Sequence, residues 1–116
     1  AASLLNAKAT ARYIAEQSPR EVSLVCMGWK RRMTEEDTLC AEYIRALLLQ
    51  EPFADLKEKC QALRFTEGEK FFDPNTQDVF PKEDFYICTQ PDQYDFAILS
   101  ARHGDLFRNK REDGHA

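Results

Sequence analysis

Apolar residues recur at helical spacing from the start of the chain, where Leu4, Ala7, Ala11 and Ile14 fall on one stripe behind Ser3 and ahead of Pro19. The pattern predicts a Ser3-capped helix running to about Gln17. From Glu21 to Met27 the period changes: Val22, Leu24 and Cys26 alternate with Ser23 and Val25, and Gly28 follows. This reads as a short strand. A basic loop, Trp29 to Arg32, leads to Thr34 with Asp37 three residues on, a capping-box spacing that opens a second helix. That helix extends to about Gln50, with Leu39, Cys40, Tyr43, Ile44, Leu47 and Leu48 as its apolar positions.

Beyond it, Pro52 and the spacing Phe53, Leu56, Cys60, Leu63 predict a third helix, and Thr66 with Glu69 a short fourth one ending before Pro74. Lys82 to Thr89 fits a helical turn or a strand, whereas Tyr94 to Leu99 alternates as a strand does. From Ser100 the chain is charged and poor in apolar residues, so a frayed tail is expected over 100–116 behind one domain over 1–99. Helix, strand and helix in that order predict an α/β fold layered as helix, sheet and helix. Ligands of such folds gather beyond the carboxyl ends of strands, here the loop Met27 to Met33.

Composition narrows the functional classes. The chain has 116 residues, 43% of them hydrophobic, and a formal charge of −4, which suits one globular domain and offers no basic stripe for nucleic acid. No apolar run reaches the roughly 18 to 20 residues of a membrane span, and no signal segment opens the chain. A cytoplasmic protein acting on a small molecule, with neither nucleic acid nor membrane as partner, is the expectation. Cys26, Cys40, Cys60 and Cys88 are dispersed among apolar neighbours and read as reduced, mostly buried thiols. His103 and His115 both come late, so triad, histidine-phosphatase and zinc chemistries find no imidazole among the core segments.

Carboxylates and cations remain. Glu36, Cys40, Ile44 and Leu48 are spaced by four, so one line on the second helix runs from a carboxylate into the apolar stripe and turns Glu36 toward the sheet edge. Glu36 with Asp37 suits a hard cation such as Mg²⁺, which takes oxygen ligands and often only one or two from protein. The same residues equally suit dipole compensation and capping in a first turn. Lys30, Arg31 and Arg32 beside a helix start suit a phosphate or sulfonate, or else are solvated surface charge. Cys26 and Arg32 have the Cys-x5-Arg spacing of thiol phosphatases, although Val25 stands where those enzymes place His, and Gly28 follows Cys26 by two residues rather than three.

Taken together, "SLLNAKATARYIAE", "VSLVCMGWKRRMTEEDTLCAEYI" and "EDFYICTQPDQYDFAIL" resemble the C-terminal half of the 2-phosphosulfolactate phosphatases. The resemblance centres on Val25, Cys26 and Gly28 followed by Glu36, Asp37 and Cys40, with Asn6 earlier and Asp84, Cys88 and Asp92 later. It implies an α/β hydrolase that removes phosphate from 2-phosphosulfolactate with Mg²⁺ on the way to coenzyme M. On that reading Glu36 and Asp37 would serve as metal and catalytic groups and Gly28 and Asn6 would contact substrate, while a catalytic role for Cys26 and substrate binding by Lys30, Arg31 and Arg32 come from their spacing and charge. It also implies that the family's N-terminal half would precede Ala1, so that this chain alone is expected to be inactive and to self-associate as a homo-oligomer. Trp29 to Arg32 stand where the family has small residues, which bears on substrate identity. A non-enzymatic anion-binding or oligomerisation module and a thiol phosphatase using Cys26 are the alternatives.

Overall fold

The computed structural model describes residues 1–28 and 34–113. A 3₁₀ turn, Leu4–Asn6, leads into α1, Ala7–Glu16, and the second helix, α2, spans Glu35–Leu49. Thr34 begins α2 as its spacing predicts, its hydroxyl accepting the Asp37 N–H at 3.4 Å. The third helix starts later than Pro52 implies: Asp55 takes a left-handed conformation and α3 runs Leu56–Ala62, continued by the 3₁₀ turn Leu63–Phe65. A further 3₁₀ segment, Glu67–Phe72, occupies the stretch between Thr66 and Pro74. Lys82–Cys88 is helical, α4, which resolves the ambiguity of that stretch.

Two expectations fail here. Glu21–Gly28 forms no strand, and Val25 and Met27 are 77% and 87% exposed. A strand exists only as a rung beside another strand, and the sheet among the described residues is a self-contained pair elsewhere in the chain. Only Leu24 of this segment packs on the core. The chain is therefore mixed α/β, but a helix, sheet and helix layering built on residues 21–27 is not what forms there.

The second correction concerns the expected tail. β1, Phe96–His103, pairs antiparallel with β2, Leu106–Asp113, from Phe96 opposite Asp113 to His103 opposite Leu106. The loop between them is Gly104–Asp105, with Gly104 at φ 64°, a conformation open to glycine at little cost. Exposed charges do not prevent a ladder whose bonds are made by backbone. Arg111 also lies over the Phe96 ring at 4.3 Å, and Ser100 donates to Asn109 Oδ1 at 2.6 Å.

Leu4, Ala7 and Ala11 of the first stripe meet Leu39, Cys40, Tyr43 and Ile44 of α2, and Cys60, Leu63 and Phe85 complete the buried cluster. Leu47 and Leu48 are only partly buried at its edge. Among the described residues no helix is long and apolar enough to cross a membrane.

One carboxylate ties these elements together. Asp92, left-handed at φ 59°, accepts the Lys8 N–H on Oδ1 at 2.9 Å and the Tyr43 hydroxyl on Oδ2 at 2.5 Å. Its own N–H donates to the Leu4 carbonyl at 2.9 Å, and the Tyr94 N–H to the Leu5 carbonyl at 3.0 Å. One amide at the start of α1, that of Lys8, is thus served by a residue 84 positions away, while Ser3, with Asn6 as its capping-box partner, caps the 3₁₀ turn that leads into α1. Asn6 adds a second tie: its Oδ1 accepts the Ser3 N–H at 2.9 Å and its Nδ2 donates to the Phe96 carbonyl at 3.2 Å.

Hydrogen bonds to a charged group contribute about 1.5–3 kcal/mol each. Asp92→Ala is therefore expected to destabilise the fold by about 2–4 kcal/mol in urea unfolding. Tyr43→Phe should cost about 1–2 kcal/mol in the native background and much less in Asp92→Ala. Equal costs for Tyr43→Phe in both backgrounds would show that the pair is not coupled.

Candidate functional site

The start of α2 carries Glu35, Glu36 and Asp37 in its first turn, where carboxylates complement the exposed amides. Asp37 does more than cap. Its Oδ2 accepts the Gly28 N–H at 2.8 Å, and Gly28 takes φ 70°, which favours glycine. One side chain thereby fixes the backbone on the near side of the basic loop while its own N–H is held by Thr34 on the far side.

Beside this junction lies a cleft of about 260 Å³. Gly28, Thr34, Glu36 and Asp37 form one wall, Gly68, Lys70 and Phe71 a second, and Phe85, Cys88 and Thr89 of α4 a third. Phe71 and Phe85 give the cleft an aromatic floor, 6.3 Å apart ring centre to ring centre, and Phe72, outside the lining, meets Phe85 at 5.2 Å. Lys70 extends over Phe80 at 4.8 Å and Phe71 at 5.5 Å, a cation on ring faces. Gly68 allows the walls to meet, because a Cβ there would stand 2.4 Å from the Phe85 ring and 2.6 Å from the Leu63 carbonyl.

The carboxylates set the local field. Cys40 is buried, and its thiol is pushed up to about 12, first by burial and then by Glu36 and Asp37. Burial, then Glu36 and Asp84, likewise raise the Cys88 thiol. Cys60 is raised chiefly by burial. Negative potential that keeps thiols protonated is the potential that attracts a cation.

The family to which this cleft belongs follows from comparison. The model of the 2-phosphosulpholactate phosphatase family matches residues 1–102. The chain belongs to that family. No curated protein and no solved structure matches the chain.

As a 2-phosphosulpholactate phosphatase family member, the chain brings some of the predicted residues together and separates others. Glu36, Asp37 and Gly28 share the cleft. Glu36 is exposed and faces the walls of α4 and the 66–72 segment rather than a sheet edge. Cys26, partly buried, lines a neighbouring cleft of about 410 Å³ with Cys40, and Asp37 borders both. Asn6 is 4% exposed and spends its amide on Ser3 and Phe96, away from either cleft. Of the thiols expected to be mostly buried, Cys40 and Cys60 are buried and Cys26 partly so, while Cys88 is exposed. Lys30, Arg31 and Arg32, with Trp29 and Met33, lie outside the described residues.

Gly68, Lys70 and Thr89 went unread as cleft residues. The run Glu67-Gly68-Glu69-Lys70 carries a glycine and a cation, but only the packing of the 66–72 segment on α4 sets them opposite Glu36. Among the described residues no group of three or more His, Cys, Asp or Glu is placed to hold a metal. Two carboxylates on one wall remain, the number with which Mg²⁺ is often content when it keeps its waters.

Gly68→Ala is expected to cost about 1–3 kcal/mol in urea unfolding, since neither the Leu63 backbone nor the packed Phe85 ring yields cheaply. Alkaline titration tests Cys40. From pH 9.0 to about 12 the folded chain retains a proton there that the unfolded chain releases, so stability is full below pH 9.0 and falls as pH rises through that interval. Cys40→Ala should flatten the fall, measured as midpoint against pH, and an unchanged slope would contradict the assignment.

Proposed function

We propose that the chain contributes the carboxylate wall of a Mg²⁺-dependent phosphatase site that hydrolyses a small, doubly anionic phosphate ester of the 2-phosphosulfolactate type in the cytoplasm. The observation that carries this reading is the cleft whose lining brings together Glu36, Asp37 and Lys70, in a chain of a phosphatase family. Glu36 and Asp37 supply hard oxygen donors, one of which, Asp37 Oδ2, already accepts the Gly28 N–H. Bound Mg²⁺ supplies positive charge to the phosphate oxygens and so favours attack by water. Lys70 is the cleft-lining cation among the described residues, and it provides a charge partner for phosphate or sulfonate. Lys30, Arg31 and Arg32, seven residues or fewer before Asp37 in the sequence, are proposed to add to it. The aromatic floor of Phe71 and Phe85 lowers the local dielectric and strengthens each of these attractions.

Phosphate release from 2-phosphosulfolactate by the longest available form of the protein is the direct test, with Mg²⁺ and then with EDTA. Glu36→Gln should lower kcat/KM at least about 100-fold, whereas Glu35→Gln, about 100° round the helix, should change it by less than about threefold. Loss of turnover on chelation, with Cys26→Ser active, supports carboxylate and metal chemistry. Turnover that persists in EDTA and vanishes in Cys26→Ser would replace it with a thiol mechanism. Saturable binding of the ester with no phosphate release would leave an anion-binding module.

A further inference from the structure

A second cavity lies on the other side of α4 and has a different chemistry. It encloses about 710 Å³, within the size range that holds small molecules. Lys57 and Gln61 stand one turn apart on α3, Arg64 and Phe65 follow on the adjoining 3₁₀ turn, and Tyr86 and Gln90 close the opposite side. Among the described residues its ionisable lining is Lys57, Arg64 and Tyr86, with no carboxylate, in a chain whose formal charge is −4. Neither cation belongs to an ion pair there.

The wall that carries Arg64 is built in layers. Its guanidinium lies 4.1 Å over the Phe72 ring, and Phe72 meets Tyr86 edge-on at 5.8 Å. A guanidinium stacked on one face keeps its N–H edge for an acceptor and is held in place while doing so. Phe65 and Tyr86 are 77% and 49% exposed, a large apolar area to leave in water beside two cations. Three side-chain amides, with Gln93 the third, add donors and acceptors around the rim.

We propose that this cavity is a binding site for an organic anion whose phosphate, phosphonate or carboxylate group is attached to a flat ring. Lys57 and Arg64 take the anionic group, and the ring covers Phe65 and Tyr86. The assignment rests on this cavity alone and holds whether or not the carboxylate cleft is a phosphatase site. The two cavities nonetheless share Phe85 and Thr89 as a common wall, so occupancy of one bears on the packing of the other.

Phenylphosphonate, which a phosphatase cannot hydrolyse, is the probe, titrated into the 116-residue chain in EDTA and followed by calorimetry and by amide chemical shifts. The expected result is saturable one-to-one binding with shifts centred on residues 57–65 and 86–93. Lys57→Gln with Arg64→Gln should weaken binding at least about tenfold, Phe65→Ala about threefold or more, and Glu36→Gln less than twofold. Methylphosphonate, which lacks the ring, should bind at least about tenfold more weakly. Absence of saturable binding, equal affinity for methylphosphonate, or loss in Glu36→Gln as complete as in the double variant would each overturn the proposal. Should the double variant fail to fold, Phe65→Ala, a change at an exposed side chain, decides the matter with the chemical shifts.

Discussion

The carboxylate of Asp92 holds together elements that sequence keeps far apart. It serves an amide at the start of α1, receives the Tyr43 hydroxyl from α2, and sits on a turn whose backbone is bonded to Leu4 and Leu5. Burial and the Asp92 hydrogen bond both raise the Tyr43 hydroxyl above its ordinary range, so tyrosine remains the donor and aspartate the acceptor. Without that anchor the apolar stripes of α1 and α2 would still attract, but hydrophobic contact is non-directional and does not set their register. The position of α2 along its axis decides where its first turn lies. The cleft therefore inherits its location from a bond made at mid-helix by Tyr43.

From that placement the cleft follows by packing. α4 turns Phe85 into the core, where it is 5% exposed, and the 66–72 segment closes on it only because Gly68 has no side chain. Phe71 and Phe72 then meet Phe85 at tilted and edge-on angles, which are favourable geometries for aromatic pairs. This single aromatic cluster is the floor of the carboxylate cleft on one side and a wall of the cationic cavity on the other. Phe85, with Thr89, is the part of the lining that the two share.

What the sequence disclosed depended on how local the cause was. α1 and α2, with their inward residues and the Thr34 cap, are written in spacings of three and four, and the structure forms them at those positions. The alternation at Val22, Leu24 and Cys26 was equally clear and produced no strand, because strand formation needs a neighbour that alternation cannot supply. The hairpin erred in the other direction. Its strands are charged and exposed, so they lack apolar periodicity, yet Gly104-Asp105 at the centre is a two-residue turn signal that outweighs composition. For the cleft, Glu36 could be picked out from its line on α2 and Asp37 from its place beside it, although that line pointed Glu36 to a sheet edge rather than to this cleft. Gly68, Lys70 and Thr89 were not, since their meeting with Glu36 depends on contacts between segments some 30 to 50 residues apart.

Asp37 shows why a capping reading and a functional one need not compete. Its backbone N–H is used by Thr34 and its Oδ2 by Gly28, both contacts that an ordinary helix start could make. Those contacts also fix the carboxylate at the border of two clefts, one containing Glu36 and the other Cys26. A side chain already held in this way loses little further freedom on meeting a ligand. Burial first, and then Glu36 and Asp37, hold the Cys40 thiol neutral, which disfavours nucleophilic sulfur at that position. The contacts that cap α2 and the burial and charge that keep Cys40 protonated thus meet on one helix.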